Sequence, residues 1–412
     1  MKHRTSIWAV ALIAMLAMSV TAGVAACGSS GGSSGGGGAS EVKIGTLYPV
    51  TGDLAKLGTE CTNGIKLAVE EINAAGGIKS MGGAKLTLVE GDSVGKPDVA
   101  ISEVERLVTQ DNVSAILGTY QSSVALPATQ TAERLQTPML ITTAVADDIT
   151  NKGYKNIFRI CPKASWYARD QIAFCQALPK MGGPTIKTVA LLHEDTDFGQ
   201  STSKGQLQYA AEAGIKVVAN VAYPASSADL TTQVSKVKAA NPDIVLTTTY
   251  LNDSILIAQA REMLGMKQLF FDAAGGTVDP QFIKTLGATA ETWLTEIEFY
   301  APASALGKEL NASYMAKYGE PMTGNGMDGY QGVYVLAKAL EDAGSADRAK
   351  LRDALVNLKM VAGTDRVVIP TAEITFTPDG QIANAPLYVV QIQKGAFQGL
   401  FPQPAPGKLV LP

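Results

Sequence analysis

Histidine is nearly absent from this chain of 412 residues, which contains two, His3 and His193. Proton transfer at neutral pH draws on histidine before other side chains, so an acid–base enzyme has little to work with here. His3 lies in an N-terminal segment expected to be removed. His193 stands alone at the end of an apolar run, where a satisfied structural imidazole is the simpler reading. Cysteine is also scarce, at four, and Cys27, Cys61, Cys161 and Cys175 form no C-x-x-C pair and no ligand cluster for zinc. The formal net charge of −4 carries no basic stripe for a phosphate backbone, which argues against nucleic acid as a partner. Beyond the N-terminal segment no apolar run is long enough to span a bilayer.

What the chain does contain begins at its start. Lys2, His3 and Arg4 precede an apolar run from Ile7 to about Val20, followed by Val24-Ala25-Ala26-Cys27. A charged region, a short apolar stretch and a small-residue cleavage site read as a secretory signal over 1–26. The small-small-Cys ending resembles a bacterial lipobox, whose cysteine takes a diacylglycerol and becomes the new N-terminus. Two acyl chains anchor stably where one holds only marginally, because each buried methylene contributes about 0.8 kcal/mol. Gly28 to Ser40 is almost wholly Gly and Ser, a flexible tether averaging about 20 Å end to end. The expected product is a folded body from residue 41 onward, held outside the cytoplasm on the bacterial cell membrane through lipidated Cys27. Cys61, Cys161 and Cys175 then remain, an odd number from which no disulfide pair is assigned.

From residue 41 short β-rich runs alternate with longer helical ones. Strands are expected over 42–48, 85–90, 113–117 and 138–141, with helices around 65–72, 99–110 and 124–135 between them. A second series follows Cys161-Pro162: strands over 188–192, 216–221, 243–246 and 268–271 alternate with helices near 199–213, 230–239 and 254–264. The order then loosens to a strand near 293–297, helices near 306–318, around Tyr330 and near 349–358, and a closing strand over 387–393. Repeated strand–helix units without hairpin signals argue for parallel sheets covered on both faces, in two α/β lobes with a ligand cleft off the carboxyl ends of their strands.

Few motifs point to chemistry. Gly28-Ser29-Ser30-Gly31-Gly32 matches a nucleophile elbow only in letters, since no strand precedes it, and Asp197-Phe198-Gly199 spells a kinase triplet with no kinase context. Gly91 to Lys96 lacks the spacing of a P-loop. Glu70-Glu71 and Asp147-Asp148 read as solvated faces or caps. More informative are polar and aromatic residues at strand ends. Gly118-Thr119-Tyr120-Gln121-Ser122-Ser123 follows one strand and opens a helix, a place suited to a carboxylate or to simple N-capping by Ser122 or Ser123. Thr247-Thr248-Thr249-Tyr250 ends another strand, and Asp272 a third.

Pro49, Thr51-Gly52 and Gly58, then Asn63-Gly64, Glu71-Ile72-Asn73 and Gly76-Gly77-Ile78, resemble the opening of the leucine/isoleucine/valine-binding proteins that serve ABC importers. The likeness continues through Gly118, Ser122-Ser123 and Pro127, Pro138-Met139, Ile149-Thr150, Gly153-Tyr154, Phe158-Arg159, Phe198-Gly199 and Tyr330. The resemblance implies the type I periplasmic binding protein fold: two doubly wound parallel-sheet lobes, 41–161 with 298–382 and 162–297 with 383–412, joined by three crossovers. It implies a small-molecule solute and ABC permease subunits as partners, no cofactor and no enzymatic activity. Carried over residue by residue, it puts a carboxylate on Ser122, with Tyr120, Gln121 and Ser123 beside it, and places Thr143 and Ala144 in the next loop, with Val145 where a threonine is usual. Phe198 replaces a tyrosine and Tyr250 matches one. The lip tryptophan falls on Leu57, and the glutamate that meets the ligand ammonium falls on Ala274. Asp272 is then the nearby acid expected to substitute, unless the ligand is a carboxylate or amide lacking an α-ammonium. A ligand-sensing receptor or regulator of the same fold is the alternative reading, and an extracytoplasmic enzyme a weaker one.

Overall fold

The computed structural model describes residues 41–273, 275–402 and 407–412; the secretory segment, Cys27, the tether and Ala274 lie outside the described residues. Two sheets organise the body. The first collects β1 (Glu41–Tyr48), β2 (Lys85–Asp92), β3 (Ala115–Gly118), β4 (Met139–Ile141) and β5 (Ile157–Arg159) in the order β2-β1-β3-β4-β5. Every pairing in it is parallel, as the strand–helix alternation predicts. Between the strands run α1 (Ala55–Ala74), α2 (Pro97–Thr109) and α3 (Ser122–Arg134).

After β5 the chain crosses to the second sheet by way of α4 (Ala164–Ala177). There β6 (Thr188–Glu194), α5 (Asp197–Glu212), β7 (Lys216–Tyr223), α6 (Thr231–Ala240), β8 (Ile244–Thr248), α7 (Leu251–Met263), β9 (Leu269–Asp272), α8 (Pro280–Leu286) and β10 (Leu294–Ile297) continue the alternation. A second crossing leads to α9 (Ala305–Tyr318), α10 (Gly324–Ala343) and α11 (Arg348–Val356), then to the small pair β11 (Met360–Val361) and β12 (Glu373–Ile374). A third crossing returns the chain to β13 (Tyr388–Gln393) and β14 (Ala396–Phe401). The second sheet reads β14-β13-β10-β9-β8-β6-β7, parallel except at β13 and β14. The absence of hairpin signals therefore fails at the C-terminal end. Lys394 and Gly395 both take positive φ, 54° and 71°, the backbone of a two-residue hairpin turn that matches strand twist.

The late helices pack on the first sheet because α1 accepts them. Gly64 faces Gly326 so closely that a Cβ at Gly64 would lie 1.8 Å from the Gly326 carbonyl oxygen; α1 and α10 thus meet backbone to backbone. One apolar core joins Ile44, Ile65, Ala68, Tyr330, Val333 and Leu340, and a second fills the other face of the first sheet. The second sheet is likewise covered on both faces. Cys61, Cys161 and Cys175 are buried free thiols, and burial pushes all three well up, Cys175 to about 12. They are therefore unreactive at neutral pH. No helix among the described residues is long and apolar enough to cross a membrane.

Candidate solute site

Both sheets have a point where strand order reverses, between β1 and β3 in the first and between β6 and β8 in the second. Connections on either side of such a point diverge, leaving a crevice at the carboxyl ends of the strands. The two crevices face each other. Tyr120 and Tyr250, one from each sheet, stack with centroids 6.0 Å apart, and Phe198 lies 5.5 Å from Tyr250. The Asp147 amide donates across the cleft to Ser201 Oγ at 3.1 Å. The lobes are closed on one another, and between them lies a chamber of about 40 Å³.

From the first sheet the chamber takes Tyr120 and Ser122 after β3, and Thr143 and Val145 after β4. Ser122 is 1% exposed and its Oγ accepts from the Ala146 amide at 3.1 Å. That bond occupies an acceptor position and leaves the hydroxyl proton available to the chamber. No side-chain capping bond forms at the start of α3, so the capping reading of Ser122 and Ser123 is not what the structure shows. Thr143 is placed by Thr142 at 3.3 Å and by the Cys61 thiol at 3.7 Å, and Thr142 in turn by the Tyr48 hydroxyl at 2.6 Å. Behind this loop Arg159 is fully buried, donating from Nη1 to the Ala146 and Ala144 carbonyls at 2.7 and 3.3 Å and from Nε to Gln381 at 2.6 Å. A guanidinium fork holding two carbonyls fixes the loop that carries Thr143 and Val145.

From the second sheet come Phe198 after β6, Tyr250 after β8, and Ala273 and Gly275 after β9. Phe198 is set by Glu194, whose carboxylate accepts from the amides of Thr196 and Gly199 at the mouth of α5. A Cβ on Gly275 would stand 1.8 Å from the Thr249 carbonyl oxygen, so only glycine lets this loop fold against β8. The remaining walls are Tyr167 of α4, Glu298 after β10 and Asn325 of α10.

Six of the residues singled out from the sequence meet at the chamber: Tyr120, Ser122, Thr143, Val145, Phe198 and Tyr250. Others are placed elsewhere. Leu57 is 1% exposed inside the first apolar core, as expected of a leucine on the buried face of α1, and is no lip. Gln121 donates to the Gly95 carbonyl at 3.5 Å, away from the walls. Ser123 is half-buried outside them. The Ala144 carbonyl accepts from Arg159 and the Cys161 thiol. Asp272 faces inward: Oδ1 accepts from Thr247 and Thr249 at 2.8 and 3.0 Å, and Oδ2 from Thr277 and the Gly275 amide at 2.9 and 3.2 Å. Its four acceptor positions are taken by the protein, so it ties the ends of β8 and β9 together and offers nothing to an ammonium. Burial outweighs those bonds and raises Asp272 to about 6. Ala274 lies outside the described residues.

The acid that does reach the chamber is Glu298. It accepts from the Tyr167 hydroxyl through Oε1 and shares a hydrogen bond with Asp328 of α10, which is 1% exposed. Burial and the neighbouring Glu298 charge hold Asp328 well above its ordinary range, and burial raises Glu298 as well. Sequence reasoning missed Glu298, Tyr167 and Asn325. The cue for Glu298 was an acid following a run of strand residues in Leu294-Thr295-Glu296-Ile297-Glu298; the other two carry no local signal. His193 has both ring nitrogens occupied, Nδ1 with the Glu194 carbonyl at 2.8 Å and Nε2 with Asn220 at 3.1 Å. No group of three or more His, Cys, Asp or Glu among the described residues could hold a metal ion.

Comparison with known proteins agrees with this architecture. Residues 41–396 match the periplasmic binding protein family. The Leu/Ile/Val-binding protein homolog 7 of Brucella suis biovar 1 (strain 1330) is 32% identical over 377 residues, 89% of this chain and 93% of that protein. The crystal structure of leucine binding protein LivK from Thermotoga maritima MSB8 superposes with a TM-score of 0.78 at 24% identity, over 87% of this chain and 98% of that one. The branched-chain amino acid transporter substrate binding protein LivJ from Streptococcus pneumoniae, solved with isoleucine, gives a TM-score of 0.75 at 26% identity, over 87% and 97%. Sequence shared along almost the whole described body, folded into two sheets that close on one chamber, makes this chain a member of the periplasmic binding protein family, an extracytoplasmic solute-binding protein and not an enzyme.

Proposed function

We propose that this protein is the lipid-anchored receptor of an ABC importer, and that its solute carries a carboxylate and an ammonium. The reading rests on the chamber closed between the two switch points, with hydroxyls of Ser122 and Thr143 on one side and Glu298 on the other. Ser122 offers its proton to the carboxylate. Glu298 meets the ammonium, the part assigned from the sequence to Asp272. Tyr120, Phe198 and Tyr250 close over the carbon next to them. The lobes 41–161 with 298–382 and 162–297 with 383–412 move about the three crossings, the closed form is presented to the permease, and Cys27 holds the body at the membrane. The relatives named for leucine, isoleucine and valine support an amino acid as the solute.

The test is a melting-temperature series on the purified protein with leucine, isoleucine and valine against their 2-oxo acids, which lack the ammonium. A ligand at a hundredfold its dissociation constant stabilises by about 2.7 kcal/mol, so a binder is readily seen. Amino acids should raise the melting temperature more than their oxo acids, and Glu298→Gln should erase that preference. If none of these compounds raises it, or Glu298→Gln leaves the preference intact, the reading fails.

A further inference from the structure

Next to the small chamber lies a larger cavity of about 380 Å³. The two share a wall, Glu298 and Asn325, which line both. Gly324 sits beside that wall, where a Cβ would lie 3.3 Å from Glu298 Oε2, so the absence of a side chain leaves Glu298 uncrowded. The larger cavity is mainly apolar: Val278 and Ile283 on one side, Ile297 and Phe299 flanking Glu298, Met322 ahead of α10 and Phe397 of β14 on the others. Its volume falls within the range that holds a small molecule. The small chamber, at about 40 Å³, falls well below that range.

We infer that one ligand occupies both cavities, its polar head between Ser122 and Glu298 and an apolar tail longer than that of leucine lying along Ile297, Phe299 and Phe397. The favoured solute class is therefore a medium-chain aliphatic or aryl-alkyl amino acid, its α-ammonium on Glu298. This rests on the solute reading of the cleft and deepens it. The polar groups that orient a head converge in the small chamber, and the larger cavity supplies the apolar surface that a tail needs to leave water. Because Glu298 and Asn325 line both cavities, the larger one lies next to the head, where the remainder of the same molecule would extend.

Calorimetric titration of the full chain with two series tests this: butanoate to decanoate, and 2-aminobutanoate to 2-aminodecanoate. Affinity should rise about fourfold per methylene beyond leucine length until the cavity is full. Ile283→Trp, on a half-buried position of α8, should flatten that rise and leave the shortest binding member within twofold of wild type; Ala396→Trp, from an exposed position on β14, should block the cavity from the opposite wall. If short members bind but affinity is flat or falls with chain length, the inference is wrong while the solute reading stands. Equal weakening of every member by both variants is also against it. If no member of either series binds and the branched-chain amino acids also fail, the solute reading falls and the inference with it.

Discussion

Glu60 gives the sharpest quantitative expectation. It lies on α1, 2% exposed, and Oε2 accepts from Thr323 and Asn325 at 2.9 and 3.0 Å. Lys56 stands 3.2 Å from Oε1, but that lysine is 39% exposed and is shared with Glu320 at 2.6 Å. Burial first, and the charge of Asp279 second, raise Glu60 from its ordinary 4.5 to about 7. Asp279 is itself buried at the start of α8 with its carboxyl raised by burial. Between pH 4.5 and 7 the folded chain therefore holds a proton that the unfolded chain has released. Stability from this group is fully present at the acid end of the window and falls as pH rises through the folded value. At about 1.36 kcal/mol per unit, the loss by pH 8 is on the order of 3 kcal/mol. Glu60→Gln keeps an oxygen for Thr323 and Asn325 and removes the charge. Urea unfolding of both proteins from pH 4.5 to 8.5 should show the variant gaining on wild type by roughly 3 kcal/mol across the range. A difference that stays constant to within about 1 kcal/mol, or that runs the other way, would refute the reasoning.

Four further outcomes follow from the geometry. Ser122→Ala removes a donor to a charged acceptor and should weaken solute binding by about 1–3 kcal/mol in titration; it also strips the Ala146 amide of its acceptor and should lower unfolding stability by about 1–3 kcal/mol. Asp272→Asn puts an amide where four donors converge; it should lower unfolding stability by about 1–3 kcal/mol while solute affinity stays within about twofold, the reverse of what an ammonium ligand would show. Gly275→Ala drives a Cβ into the Thr249 carbonyl and should lower stability by about 2 kcal/mol or more by denaturant titration. Cys27→Ser should move the protein from the membrane fraction to the soluble one, as cell fractionation would show, because the proposed acyl anchor has no cysteine to attach to.

Much of the fold could be read from the chain because the signals are local. Ile65, Ala68 and Val69 recur at helical spacing on the buried face of α1, with Ile72 half-buried beside them, and the strands of both parallel series lie within a few residues of where their apolar runs place them. What escaped reading was short or depended on distant partners. β5, Ile157–Arg159, ends on a charged residue and has only two apolar residues to mark it, and the β14 hairpin turns on Lys394 in a left-handed conformation that lysine does not announce. At the site, aromatic and hydroxyl residues at strand ends were legible because parallel sheets bind at their carboxyl ends. Asp272 was misread since an acid at a strand end looks the same whether it faces a cleft or a ring of threonine hydroxyls. Glu298, Tyr167 and Asn325 come from a crossing segment and two helices far apart in sequence, and only the closed fold brings them together.

The entry of the chain into β1 has a mechanical consequence. Glu41 opens β1 at the amino end of the first sheet, whereas the chamber lies at the carboxyl ends. Eight residues of strand separate the two by about 26 Å. Any pull exerted from upstream of Glu41 is thus delivered to one lobe, at its base, along the axis of a strand held on both sides by parallel neighbours. Such a load reaches the second sheet only by way of the crossings.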